Sequence, residues 1–212
     1  MIYKTTFRRI VIFLALCLMI LLTTSCALLV MGAMTRPEKL AGTQKDGNFR
    51  GSECQNVLVI SLMENTSQRV AVENVFADRL TQPGLIPIAG SLKLPTLSLL
   101  KDRAFLEKLM QEEHIDHVIT VEVKDVAEND LKKWPGTWLA TPLPKGDLAD
   151  VTLSHGTTKN VHFEIGLWAL NSMKREWTGT TRPLDRSDIL RDVPAAADST
   201  AYTLKKDKIL RL

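Results

Sequence analysis

The chain has 212 residues, 45% hydrophobic and 24% charged, the composition of an ordinary globular protein with one main domain and not of a disordered or fibrous one. Its formal net charge is +3, and Lys4, Arg8 and Arg9 account for all of it, because residues 1–26 hold no acidic side chain. The remainder is neutral, which argues against a nucleic-acid partner, since such surfaces concentrate Lys and Arg.

In chain order, a basic segment comes first, ending in Phe7-Arg8-Arg9. Ile10 through Leu22 then run for 13 residues without a charge. As a helix rising about 1.5 Å per residue, that run reaches about 20 Å, short of the roughly 30 Å hydrocarbon core of a bilayer. The length suits the apolar region of a secretory signal peptide. The run closes in Leu22-Thr23-Thr24-Ser25-Cys26. This ending resembles the lipobox of bacterial lipoprotein precursors, where small residues precede an acylated cysteine. Ser25 and Cys26 match the pattern, and Thr23 stands where leucine is usual.

The resemblance implies a signal peptide over 1–25, cleavage before Cys26, a diacylglycerol on its thiol, and palmitate-type acylation of the new N-terminus. Several buried acyl chains make such attachment effectively permanent, each methylene contributing about 0.8 kcal/mol. Ala27 in place of aspartate implies sorting to the periplasmic face of the outer membrane. A second reading takes residues 10–34 as one apolar helix, an uncleaved inner-membrane signal anchor with its basic flank inside. Both readings put the rest of the chain outside the cytoplasm. With Cys17 in the leader and Cys26 acylated, Cys54 has no partner in its own chain, so the body is expected to be held by its core.

Residues 35–52 are polar and aperiodic, and the stretch 26–54 is expected to be a lipid-anchored flexible tether, about 86 Å long if its residues up to 52 were fully extended. The folded domain is expected over 55–212. Val57-Leu58-Val59-Ile60-Ser61-Leu62 is a continuous apolar run rich in β-branched residues, the pattern of a strand buried on both faces. Asn65-Thr66-Ser67 offers helix N-cap chemistry, and Val72, Val75, Phe76 and Leu80 recur at helical spacing up to the stop at Pro83-Gly84. A short strand follows at 85–88, a loop at 90–101, and a helix at 102–113 burying Phe105, Leu106, Leu109 and Met110. A third strand is predicted at 118–123, an irregular stretch at 125–147 and the start of a strand at 151–153. Residues 161–170 alternate as a half-buried strand, turn at 171–174, and return as a hairpin over 176–181. Trp168 and Trp177 are expected to face each other across it. Pro194 is expected to open the last helix, with Ala201, Leu204 and Ile209 inward.

The predicted fold is therefore a single α/β (α+β) domain, two or three layers around a mixed sheet of about four or five strands, in the order β-α-β-α-β-β-β-α. This order is similar to the small envelope domains of bacterial lipoproteins of unassigned function. It resembles the N-terminal domain of the translocation protein TolB, the lipoprotein activators of penicillin-binding proteins and the periplasmic part of the curli secretion lipoprotein. The likeness rests on Val57–Ile60 before the first helix, on Asp116-His117-Val118-Ile119 and on Trp168 with Trp177. The loop at 125–147 departs from these domains.

No nucleophile elbow, dinucleotide fingerprint, phosphate loop or zinc-protease helix occurs. His114 and His117, with Glu112, Glu113 and Asp116, have metal-ligand chemistry, but the helix is expected to end between the two imidazoles and send them apart, so no metal is expected. Ser154-His155 and His162 lack a positioned acid, and the carboxylate pairs Glu112–Glu113 and Asp147–Asp150 read as exposed charges. No cofactor is expected. Trp134 and Trp138, in a Pro/Gly-containing loop, are aromatic anchors suited to an envelope protein or cell-wall glycan, or else caps over the sheet. The function this supports is a non-enzymatic accessory or scaffold in the cell envelope. The alternatives are a subunit of an oligomeric secretion or assembly complex in the outer membrane, or an envelope hydrolase with an unrecognised site.

Overall fold

A computed structural model describes residues 40–46, 49, 51–53, 55–128, 148 and 157–211. Cys26, Cys54, Trp134, Trp138, His155 and the strand expected at 151–153 lie outside the described residues.

Glu38–Leu212 form one compact unit. Its elements are β1 (Gly42–Lys45), β2 (Ser52–Glu53), β3 (Asn56–Ser61), α1 (Thr66–Leu80), β4 (Ile86–Ala89), α2 (Arg103–Glu113), β5 (His117–Asp125), β6 (Asn160–Ala169), β7 (Lys174–Thr180), β8 (Leu184–Asp185), α3 (Ile189–Lys206) and β9 (Leu210–Arg211). Two short 3-10 turns, Gly90–Leu92 and Leu97–Lys101, lead from β4 into α2. The principal sheet has seven strands in the order β1-β7-β6-β5-β3-β4, with β8 also paired to β6. β3 is parallel to both β4 and β5, which is the pairing a β-α-β-α-β run produces. From β5 onward the pairing is antiparallel through β6, β7 and β1.

Alternation along the strands splits the core in two. Val57, Val59, Ile119, Val121, Phe163, Ile165 and Trp177 point to one face, where they meet Val72 and Phe76 of α1 and Val193, Ala197 and Leu204 of α3. Leu58, Ile60, Val118 and Trp168 point to the other, where they meet Leu106 and Leu109 of α2. The architecture is thus three-layered, and the domain is α/β as its hydrophobic pattern requires.

Four expectations are corrected. The sheet has seven strands instead of four or five, because β1 and β8 are short, polar segments without apolar periodicity, recruited by open edges of β7 and β6. The fold begins before residue 55. Leu40 is buried, its N–H donates to Thr203 Oγ1 at 3.0 Å, and Gly42–Lys45, expected in the tether, pair with β7. The last helix starts at Ile189 and runs through Pro194, not from it. Finally, Trp177 stands opposite Leu167 and Trp168 opposite Arg175, with a register shift between. The two indoles therefore belong to separate core clusters on opposite faces of the sheet.

Candidate functional site: a polar strip across the sheet

On the α2 side, the strands beyond Val118 carry polar side chains. β5 contributes Thr120, Glu122 and Lys124; β6 contributes His162, Glu164 and Trp168; β7 contributes Arg175, Thr178 and Thr180. Register places Glu122 directly against Glu164, and Gly166 against both Thr120 and Thr178. Like charges opposite one another destabilise a sheet. Here each carboxylate has its own cation. Glu122 Oε1 contacts Lys124 Nζ, and Arg175 Nη1 donates to Glu164 Oε1 at 2.7 Å. The Arg175 guanidinium lies 4.5 Å over the Trp168 ring, and Trp168 Nε1–H donates to Thr120 Oγ1 at 2.9 Å.

The strip is largely withdrawn from water: the Glu122 side chain is 8% exposed and that of Arg175 7%. Burial pushes the Glu122 carboxyl above its usual range, against the opposing pull of Lys124. Burial likewise holds His162 below the ordinary imidazole value, with Glu164 opposing and Lys124 reinforcing. The arrangement is a chain of compensated charges that locks strand register. Among the described residues it sets no nucleophile beside a base, the relation that covalent catalysis needs.

A second buried network ties the carboxyl end of β3 to α1. Glu73, fully buried, accepts from the Ser61 N–H at 3.1 Å and the Ser91 N–H at 2.6 Å. Arg69, one turn earlier, stands 3.6 Å from Glu73 and donates through Nη2 to the Leu94 carbonyl at 2.9 Å. Burial raises the Glu73 carboxyl in spite of these donors. A Cβ on Gly90 would come within 2.7 Å of the Val59 carbonyl oxygen, so only glycine lets the β4 end close over β3. A third group forms at the register shift. Glu176 is the extra residue of β7, and its carboxylate approaches His117 Nε2 at 3.5 Å. Bulges re-aim side chains in this manner. Burial lowers His117, opposed by Glu176 and Asp116.

The sequence-selected residues fall as follows. His114 takes a left-handed conformation (φ 53°) as the C-cap of α2, and His117 opens β5, so the helix does end between them. No group of three or more His, Cys, Asp or Glu side chains with metal-binding geometry occurs among the described residues. Glu113 pairs with Lys93 at 2.6 Å and Glu112 with Lys108 at 3.7 Å. His162 joins the polar strip, whereas Asp147, Asp150 and Ser154 lie outside the described residues. Sequence reasoning missed Arg69, Glu73, Glu122, Glu164 and Arg175. The alternation of 161–170 carried the one available signal, since it sets His162 and Glu164 on the face opposite Val161, Phe163 and Ile165.

No family model and no curated protein matches the chain. Solved structures similar to it include the PelC dodecamer of Paraburkholderia phytofirmans, at 13% identity and TM-score 0.40, covering 81% of this chain and 99% of that one. A single-residue variant of the same PelC dodecamer is 12% identical at TM-score 0.39, over 76% of this chain and 96% of that one. Lipoprotein GNA1162 of Neisseria meningitidis is 14% identical at TM-score 0.33, over 70% of this chain and 98% of that one.

Proposed function

We propose that this protein is a membrane-anchored envelope lipoprotein that works without catalysis, as an accessory or scaffold docking an envelope partner. The observation that carries the reading is the acid-free leader, whose apolar run is too short to span a bilayer and closes at Ser25-Cys26. The polar networks support the non-enzymatic part. Buried Glu73 and Glu122 and half-buried Glu164 are each engaged by donors or cations of their own domain. Among the described residues no helix is long and apolar enough to cross a membrane.

Leu40 is already built into the domain, and the 13 residues between it and Cys26 reach at most about 50 Å. A domain on so short a leash reaches only partners fixed near its own membrane. Trp134 and Trp138 are the aromatic anchors proposed to contact that partner, an envelope protein or cell-wall glycan.

Radiolabelled palmitate tests the anchor. The natural chain is expected to take up label and to sediment with membranes, and Cys26→Ala is expected to lose both. Natural protein recovered unprocessed, unlabelled and soluble in the cytosol overturns the proposal. Photocrosslinking from position 134 tests the partner, with capture of one envelope protein or glycan expected and no capture counting against docking.

A further inference from the structure

The start of the fold and the end of its last helix are joined. The Leu40 N–H donates to Thr203 Oγ1 in the final turns of α3. Thr203 turns inward, and the same turns present an outward face made of Tyr202, Lys205 and Lys206, followed by Lys208 in a left-handed conformation (φ 52°). All four are exposed. Lys206 Nζ lies 3.1 Å from the Tyr202 hydroxyl and 5.2 Å from the ring centroid, so a cation and an aromatic ring share one site. Within the last turns of α3 and the residues that close it, the acids are Asp207, between the lysines, and Asp198, which is engaged by Arg79 at 3.2 Å. Over Tyr202–Lys208, three lysines against Asp207 leave the segment basic.

We propose that this patch, Tyr202 with Lys205, Lys206 and Lys208, is the surface that meets the lipid, binding anionic phospholipid headgroups of the membrane that holds Cys26. The inference rests on the lipid-anchor reading above. Between Cys26 and Leu40, residues 27–34 are uncharged and mostly apolar, which leaves Thr35-Arg36-Pro37-Glu38-Lys39 as the polar spacer, under about 20 Å when extended. A spacer of that length holds the Leu40 end of the domain close to the lipid, and that end is where the last turns of α3 lie. Lysines beside a surface of anionic headgroups are attracted over roughly a Debye length, their alkyl stems covering apolar surface, and tyrosine favours the interface.

Amine footprinting of the full chain tests this. The intact protein is reconstituted in vesicles of phosphatidylethanolamine and phosphatidylglycerol, in pure phosphatidylcholine vesicles, and in detergent. It is acetylated briefly and read by mass spectrometry, with the Cys26 peptide measured in the same run. Lys205, Lys206 and Lys208 are expected to react about fivefold more slowly in the anionic vesicles than in detergent. Lys101 and Lys108, exposed on the α2 side, are expected to react equally in both. Protection is expected to fall in phosphatidylcholine and in high salt. Equal reactivity of all five lysines with Cys26 acylated overturns the patch and leaves the anchor standing. An unacylated Cys26 overturns the anchor, and the patch proposal with it.

Discussion

At Gly166 a Cβ would stand 2.8 Å from both Thr120 Oγ1 and Trp168 Nε1, and 3.3 Å from Arg175 Nε. The missing side chain is what allows indole, hydroxyl and guanidinium to converge, so Gly166→Ala is expected to cost about 1–3 kcal/mol, read as a lower urea midpoint with an unchanged slope. An unchanged midpoint would mean the strip tolerates displacement. Glu73 makes a stronger demand. Glu73→Ala leaves the Ser61 and Ser91 N–H groups without their acceptor and buried Arg69 without its counter-ion, and is expected to cost about 3–5 kcal/mol in the same measurement. His117 and His162 carry a pH dependence. Both are held below 6.5 by burial, so the unfolded chain takes up protons first as pH falls past that value, and the stability present above it is lost on the way down. Glu73 and Glu122, raised by burial, act in the opposite sense, gaining as pH falls. The slope is therefore isolated by comparison: His117→Gln with His162→Gln is expected to lose less stability than the natural chain between neutral pH and the carboxylate range. Equal slopes would exclude the two imidazoles as its source.

Helix α3 shows how an element departs from its sequence signals. Pro194 has no N–H to give to the Leu190 carbonyl, yet the helix continues through it from Ile189. Leu190 is 47% exposed, which leaves water able to serve that end of the helix. Pro194→Ala restores the missing donor and is expected to stabilise the domain by about 1 kcal/mol or more, seen as a higher thermal midpoint. A proline reads in sequence as a first helical residue, and only the packing of Ile189 and Val193 against the sheet shows that the helix has already begun. Elements whose burial imposes a period were legible for the same reason. β3 carries an unbroken apolar run, β5 alternates in part and β6 clearly, and α1 and α2 have side-chain caps on Asn65 and Asp102. β1, Gly-Thr-Gln-Lys, has no period to read, because β7 supplies its pairing partner from far along the chain. The polar strip was hidden likewise. Glu122, Glu164 and Arg175 are ordinary surface-type residues until sheet register sets them side by side. Single-residue alternation also misled at the hairpin, where the extra residue Glu176 turned Trp168 and Trp177 to opposite faces.

For the molecule as a whole, the domain boundary has measurable consequences. A chain beginning at residue 38 is expected to give the same cooperative unfolding transition as the natural domain. One beginning at residue 55 loses Leu40 and β1 and leaves an edge of β7 open, at an expected cost of about 2–5 kcal/mol. Equal midpoints would show that the edge strand contributes nothing. The same strand has a mechanical meaning. Tension applied from the chain ahead of Leu40 is met there first and then along Gly42–Lys45, whose bonds to β7 lie across the chain and are met one after another. Under load this seam is expected to peel before the core yields, giving back roughly 14 Å of slack at about 3.4 Å per residue. The entry strand thus contains a short reserve of length, and the six other strands of the sheet stay paired while that reserve is spent.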